Sequence, residues 1–160
     1  MLSPTTSLIL PEMGRLYEIL HPWTELLLRL VIATALVAHG LRNTFGFFPE
    51  TGSPIHSVPM LADFLDRNGY HPGRLWAPLI SSTQLIAGPL LGLGLFTRIA
   101  AIPIMIFLAV SCVERWRVGR YFWNMLGLEY TLLWGIAGLY FLVHGGGAFS
   151  LDRILIGREF

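Results

Sequence analysis

Apolar residues dominate four stretches of the chain, and charged residues fall mainly between them. The stretches cover residues 23–45, 76–96, 99–114 and 122–144. A membrane-crossing helix needs about 20 mostly apolar residues, and the second stretch supplies that length without a charge. The third has only 15 uncharged residues. It is nevertheless predicted to span the membrane, because the chain reverses direction only once, at Thr97 and Arg98, after the second stretch. The pattern therefore predicts four membrane helices, with both chain termini on one side.

The one long connection, residues 45–75, is rich in glycine and proline, which interrupt helices. Inside it, apolar and charged residues alternate at helical spacing, with the apolar positions at Met60, Leu61, Phe64 and Leu65. This spacing predicts a short amphipathic helix on the membrane surface or against the bundle. The predicted fold class is all-α: an integral membrane four-helix bundle with a short interfacial helix in the long first connection.

The two ends of the chain are more polar than the middle. Residues 1–22 predict an N-terminal interfacial arm, in which Pro11 can begin a short helix and Pro22 can end it. The start of the chain has no basic segment followed by a small-residue cleavage site, so we expect no removable signal peptide. The predicted division is the arm, a membrane domain at 23–152 and a polar tail at 153–160.

Composition supports a membrane protein and excludes several other classes. Charged residues make up 13% of the chain, about half the usual share in soluble proteins. A net charge of +1 gives no sign of a nucleic-acid partner. The single cysteine, Cys112, excludes an internal disulfide, a Cys-x-x-Cys pair and a cysteine-ligated cluster. Nucleotide-binding glycine loops and the Gly-x-Ser-x-Gly turn are also absent from the sequence.

Polar residues inside the predicted helices gather toward the side opposite the termini, here called side B. At about 1.5 Å of rise per residue, five of them fall in that half. This side-B cluster consists of His39, Arg42, Gln84, Glu114 and Glu129. Ionisable groups inside a membrane are costly and are functional candidates. Two interpretations stay open: Arg42 is neutralised by Glu114 or Glu129 and locks the helices, or a carboxylate and a histidine exchange protons with a reduced quinone.

A second set of polar residues falls on side A, with the termini. This side-A cluster consists of Arg29, Arg98, His144 and Asp152. Asp152 can pair with Arg29 or Arg98, and Ser150 or Asp152 can cap a short C-terminal turn; we interpret the cluster as mainly structural.

The charged residues and histidines also bear on orientation in the membrane and on haem or metal binding. Five arginines are assigned to side A and six to side B, which does not fix the orientation in the membrane. His39 and His144 stand on the order of 20 Å apart in depth, so we reject a shared haem. No pair of side chains has metal-ligand spacing, so we expect no metal site.

Five short segments, in this order and spacing, resemble the DoxX family over residues 24–153. They are Leu-Arg-Leu (28–30), Ala-His-Gly-Leu-Arg-Asn (38–43), Gly-Leu-Gly-Leu-Phe-Thr-Arg (92–98), Gly-Leu-Glu-Tyr (127–130) and Gly-Gly-Ala-Phe-Ser-Leu-Asp (146–152). The resemblance implies a four-helix membrane bundle associated with membrane redox complexes, including a quinone-reducing thiosulfate oxidoreductase; distant relatives are linked to membrane-protein assembly. The chain departs at Gln84, often glutamate in the family, and at His144, where a small or apolar residue is commoner.

The residues and the resemblance together predict an accessory integral-membrane subunit of a respiratory or oxidoreductase complex. It would lie in a bacterial or archaeal plasma membrane, hold a quinone or lipid, anchor partner redox subunits and carry no redox centre of its own. The choice between a homo-oligomer and a hetero-oligomer stays open. The alternative is an assembly or interaction factor that recognises other helices through glycine-rich faces. A transporter is disfavoured, because the chain shows no half-to-half repeat.

Overall fold

The computed structural model describes residues 13–157, and every regular element in that range is helical. The α-helices are α1 (Met13–Phe45), α2 (Val58–Arg67), α3 (Gly73–Ser82), α4 (Gly88–Leu93), α5 (Thr97–Val118) and α6 (Leu128–His144). A π-helical segment, Thr83–Ala87, joins α3 to α4 without a break, so residues 73–93 run as one helix. The all-α class predicted from the sequence is confirmed.

Four long helical segments form the predicted bundle: α1, the continuous helix at 73–93, α5 and α6. Their shared core contains Ile32, Leu36, Leu91, Ile104, Leu108 and Phe141. Within the described residues, α1 and α5 are long and apolar enough to cross a membrane, and α6 is a shorter apolar helix. Many large apolar side chains on the outside of the bundle are exposed. Such a surface fits an environment in which lipid replaces water.

The predicted amphipathic helix is α2. Ser57 caps its start by accepting a hydrogen bond from the backbone N–H of Met60 at 3.5 Å. Leu61 and Leu65 are buried and pack in one cluster with Ala77 of α3. The next helix therefore covers the part of the apolar face at Leu61 and Leu65, whereas Met60 and Phe64 remain exposed.

The turn between α2 and α3 is closed by Asp66. Its carboxylate accepts a hydrogen bond from the backbone N–H of Gly73 at 2.7 Å, and the Nδ1 atom of His71 lies 3.0 Å away. These contacts, the one from Gly73 above all, lower the pKa of Asp66 below its ordinary value. A Cβ atom at Gly73 would collide with the carbonyl oxygen of Ala62. The turn therefore needs a glycine at the first position of α3.

The N-terminal part of α1 differs from the prediction. The helix begins at Met13 and continues through Pro22, so the predicted break at Pro22 is wrong. A proline inside a helix removes one backbone hydrogen bond and frees a carbonyl one turn earlier. Here that carbonyl belongs to Glu18, which lies on an exposed part of the helix where water or lipid head groups can reach it. Pro11 and the end of the tail, residues 158–160, lie outside the described residues.

Helix limits near side B also differ. α6 begins at Leu128, six residues after its predicted start, because the chain first makes a 3₁₀ turn at Trp123–Met125. Gly119 and Leu126 bracket this turn with positive φ angles of 71° and 60°. The apolar residues of the turn are largely aromatic and exposed. Apolarity alone could not separate them from the start of a helix.

Gly92 of α4 lies where α1 and α4 approach most closely. A Cβ atom at Gly92 would lie 2.7 Å from the Cβ of Ala33, closer than two methyl groups tolerate. We expect Gly92→Ala to lower the free energy of unfolding by about 1–3 kcal/mol, because the two helices must move apart. Unfolding of the detergent-solubilised protein, followed by circular dichroism, measures this loss.

The matched control for this substitution is Gly135→Ala on α6. A Cβ atom there would lie 3.8 Å from the Sγ of Cys112, which is an ordinary contact. We expect little change, or a small gain from alanine's higher helix propensity. Equal losses for both variants would contradict the close approach of α1 and α4.

Candidate functional site

The end of α1 carries the connected part of the predicted side-B cluster. The Nη2 atom of Arg42 lies 3.1 Å from Nδ1 of His39, and Nε of Arg42 donates to Oδ1 of Asn43 at 3.2 Å. Asn43 in turn donates from Nδ2 to Oε1 of Gln84 at 3.4 Å. Gln84 is only 2% exposed. One chain of polar contacts therefore runs from the exposed His39 into the interior of the bundle.

The backbone around Gln84 departs from regular α-helix at the point where Gln84 contacts Asn43. Gln84 lies in the π-helical segment Thr83–Ala87, and π-helical turns are frequent at functional sites. Gly40 of α1 packs directly against it, since a Cβ atom at Gly40 would lie 2.9 Å from the Cβ of Gln84. Asn43 was not predicted as a member of this cluster, although it follows His39 by four residues and therefore shares its face of α1.

The remaining two residues of the side-B cluster have other partners. Glu114 accepts hydrogen bonds from the hydroxyl of Tyr70 and, at 3.0 Å, from Nη1 of Arg117. Burial, together with the hydrogen bond to Glu114, raises the pKa of Tyr70. Glu129 accepts a hydrogen bond from the backbone N–H of Trp123 at 3.1 Å, in the turn before α6.

These contacts correct the predicted neutralisation of Arg42. No ion pair within residues 13–157 includes Arg42, so of the two open interpretations the one in which Glu114 or Glu129 neutralises Arg42 is wrong. Glu114 finds Arg117 one turn along its own helix. Because α6 begins only at Leu128, Glu129 lies in its first turn, where its carboxylate reaches Trp123 in the preceding loop.

A pocket of about 250 Å³ opens beside Arg42 and is lined by Ala38, His39, Arg42, Phe48 and Thr51. Phe48 has a positive φ of 60° and leads into a short 3₁₀ turn. The hydroxyl of Thr51 donates to the carbonyl of Phe48 at 2.9 Å, which closes this turn. The pocket combines an apolar wall with a guanidinium and an imidazole. It suits a head group that carries oxygen acceptors.

Arg29, one of the residues of the predicted side-A cluster, is only 1% exposed. Its Nε donates to the carbonyl of Gly92 at 3.2 Å, and its Nη2 to the carbonyl of Phe149 at 2.8 Å. Its Nη1 donates to the carbonyl of Gly146. One guanidinium therefore joins α1 to the end of α4 and to the glycine-rich loop after α6.

Asp152 is fully buried and caps the start of α5. Its Oδ1 accepts from the N–H of Phe96 at 2.7 Å, and its Oδ2 accepts from the N–H and the hydroxyl of Thr97 at 3.0 and 3.2 Å. A carboxylate is well placed at a helix N-terminus, where N–H groups lack helical acceptors. The predicted pairing with Arg98 is wrong, because Arg98 is exposed and forms no ion pair in the described part of the chain.

The predicted C-terminal turn is capped by Ser150. Its hydroxyl oxygen accepts a hydrogen bond from the N–H of Arg153 at 3.3 Å and its hydroxyl donates to the carbonyl of Gly147 at 2.8 Å. The turn itself is π-helical and covers Asp152–Ile156. The side chain of Asp152 serves α5 instead.

A further polar group on side A was not predicted as a unit. The hydroxyl of Tyr140 donates to Oε1 of Glu25 at 2.6 Å, and Nδ1 of His21 lies 3.7 Å from Oε2 of the same carboxylate. The ring of His144 stacks on Tyr140 with a centroid distance of 4.2 Å. His144 therefore belongs with Glu25 and Tyr140. The spacing of four residues from His21 to Glu25, and from Tyr140 to His144, is the signal that could have found this group.

The sequence profile of the DoxX family matches residues 24–114, more than half of the chain. The chain belongs to the DoxX family. An uncharacterized membrane protein of Mycobacterium tuberculosis is 27% identical to this DoxX protein over 158 residues, which cover 92% of this chain and 91% of the relative. No solved structure matches this DoxX protein.

The family match and the relative agree with the apolar helices in identifying this DoxX protein as an integral membrane protein. The matched region extends from α1 into the last turns of α5. It includes the pocket beside Arg42 and the contact with Gln84. Glu129, Tyr140 and Asp152 lie beyond it.

Proposed function

We propose that this DoxX protein is an accessory integral-membrane subunit of a respiratory or oxidoreductase complex, and that it holds a quinone or a lipid head group beside Arg42. It would cross the plasma membrane four times, with both termini on one side. The redox centres would belong to partner subunits, since the chain has no cofactor motif. The pocket lined by His39, Arg42 and Phe48 at the end of α1 is the observation that carries the proposal.

The electrostatics of this pocket favour an oxygen-rich ligand. Arg42 lies at the end of a membrane helix, and no carboxylate in the described residues forms an ion pair with it. A guanidinium in that position gains from a hydrogen bond to a carbonyl oxygen, or from two parallel hydrogen bonds to two oxygens of a phosphate. Asn43 accepts a hydrogen bond from the guanidinium and donates one to the buried Gln84. Phe48 and Ala38 supply an apolar wall for a ring or an acyl chain.

Arg42→Gln should weaken binding of a short-chain ubiquinone or menaquinone analogue by about tenfold or more, because a charge-assisted hydrogen bond is lost. Isothermal titration of the detergent-purified protein measures this affinity, and mass spectrometry of the protein extracted from native membranes identifies retained quinone or lipid. Arg98→Gln removes an exposed arginine far along the chain and serves as the control. Equal affinities of both variants for the quinone analogue, together with equal amounts of quinone and lipid retained by both variants from native membranes, would contradict the proposal.

The alternative, an assembly factor without chemistry, depends on small-residue surfaces open to other helices. Several of these surfaces are used inside the chain: Gly40 packs on Gln84, Gly92 on Ala33 and Gly138 on Met105. This internal use favours the accessory-subunit proposal. Co-purification with an immature partner, but never with the mature complex, would favour the assembly factor instead.

A further inference from the structure

The connection between α5 and α6 is a compact turn with a fixed backbone. The N–H groups of Leu128 and Glu129 donate to the carbonyls of Arg120 and Tyr121 at 3.0 and 2.9 Å. The N–H of Gly127 donates to the carbonyl of Phe122 at 3.0 Å. Gly127 is buried, and a Cβ atom there would collide with the backbone of Tyr121. The backbone hydrogen bonds therefore fix the positions from which the side chains of this turn project.

The side chains displayed on the outside are mainly aromatic. Trp116 is 73% exposed and Trp123 is 67% exposed. Tyr121 and Phe122 are also exposed, and their rings contact each other edge to face at a centroid distance of 5.6 Å. Aromatic rings of this kind concentrate at the boundary between the bilayer and water. Their exposure at the ends of two membrane helices places that boundary at this turn.

Arginines lie among these rings. Arg117 is engaged by Glu114. Arg115 and Arg120 contact only backbone carbonyls, those of Leu126 at 3.3 Å and Met125 at 3.5 Å, and neither forms an ion pair within residues 13–157. Each guanidinium has five N–H donors, so most remain available to a ligand.

We propose that Arg115, Trp116, Arg120, Phe122 and Trp123, together called the α5–α6 surface, bind the head group of an anionic phospholipid in the adjacent leaflet. The charge is complementary, since two arginines without carboxylate partners meet a phosphate that guanidinium groups bind in a forked geometry. The rings supply contacts for the glycerol and upper acyl region. Basic residues near a membrane surface attract anionic lipids in this way. This surface is separate from the pocket at Arg42, so the two proposals can fail independently.

The test uses the full-length protein reconstituted in phosphatidylcholine vesicles that contain a minor fraction of phosphatidylglycerol. Either lipid carries brominated acyl chains, which quench nearby tryptophans. We expect brominated phosphatidylglycerol to quench more strongly than an equal fraction of brominated phosphatidylcholine. Arg115→Gln with Arg120→Gln should lower this preference by about tenfold or more, because each arginine contributes a factor of about five. High salt should also weaken the preference.

Two further variants locate the effect. Arg98→Gln with Arg153→Gln removes the same charge from exposed positions elsewhere and should leave the preference intact. Trp116→Phe with Trp123→Phe keeps all arginines and should remove the excess quenching. Equal quenching by both lipids, or a preference unchanged in the Arg115 and Arg120 variant, would overturn the proposal. So would an acidic protein that binds the wild type, but not that variant, without any preference for phosphatidylglycerol.

Discussion

Arg29→Leu is expected to lower the free energy of unfolding by about 3–5 kcal/mol, because it removes a buried charge-assisted network. Leucine leaves the carbonyls of Gly92, Gly146 and Phe149 without the donors that they now share. The end of α4 and the loop after α6 should loosen together. Thermal unfolding in detergent, followed by circular dichroism and by size-exclusion chromatography, measures the loss.

Two companion substitutions make this result specific. Arg98→Leu makes the same change at an exposed position and should alter stability by no more than about 0.5 kcal/mol. Arg29→Lys keeps the charge but lacks the planar fork, so we expect a loss between those of the wild type and leucine. If Arg29→Leu and Arg98→Leu were equally stable, the network around Arg29 would have no structural importance.

Asp152→Ala is expected to lower the free energy of unfolding by about 2–4 kcal/mol, since it leaves buried N–H donors at the start of α5 without an acceptor. The groups affected are the N–H of Phe96 and both donors of Thr97. Amide hydrogen exchange should rise at the first turn of α5 before the rest of that helix. Exchange measured by mass spectrometry on the detergent-solubilised protein detects this local opening.

The matched control is Asp63→Ala, an aspartate exposed on α2. It should leave exchange at the start of α5 unchanged. Asp152→Asn keeps one carbonyl acceptor but turns an amide N–H₂ toward the donors, so its effect should lie between those of alanine and the wild type. Uniform exchange across α5 in Asp152→Ala would argue against a capping role.

The helices could be predicted because lipid as a solvent requires long apolar runs, and an amphipathic period marks α2. Their limits were harder to place. Pro22 remains inside α1 because the carbonyl that it frees is accessible, which depends on surroundings rather than on the proline itself. The mostly apolar residues at 122–126 satisfy an apolar criterion equally well in a turn or a helix, so the start of α6 was predicted too early.

The polar contacts could be predicted only in part. Depth along a helix placed His39, Arg42 and Gln84 at one level, and the structure does connect them through Asn43. Depth does not give the direction around the helix axis, which changes by about 100° per residue. Arg29 and Asp152 bind mainly backbone groups, which every residue possesses. Nothing in the sequence therefore singles out their partners.

The position of Arg29 also has a consequence for how the protein is made. Arg29 is synthesised more than a hundred residues before Gly146 and Phe149, which accept two of its hydrogen bonds. Until they arrive, the nascent chain carries a guanidinium whose final acceptors do not yet exist, and such a group is costly in a bilayer. A chain truncated before Gly146 never gains them, so Arg29 can complete its hydrogen bonds only after the loop that follows α6 has been made.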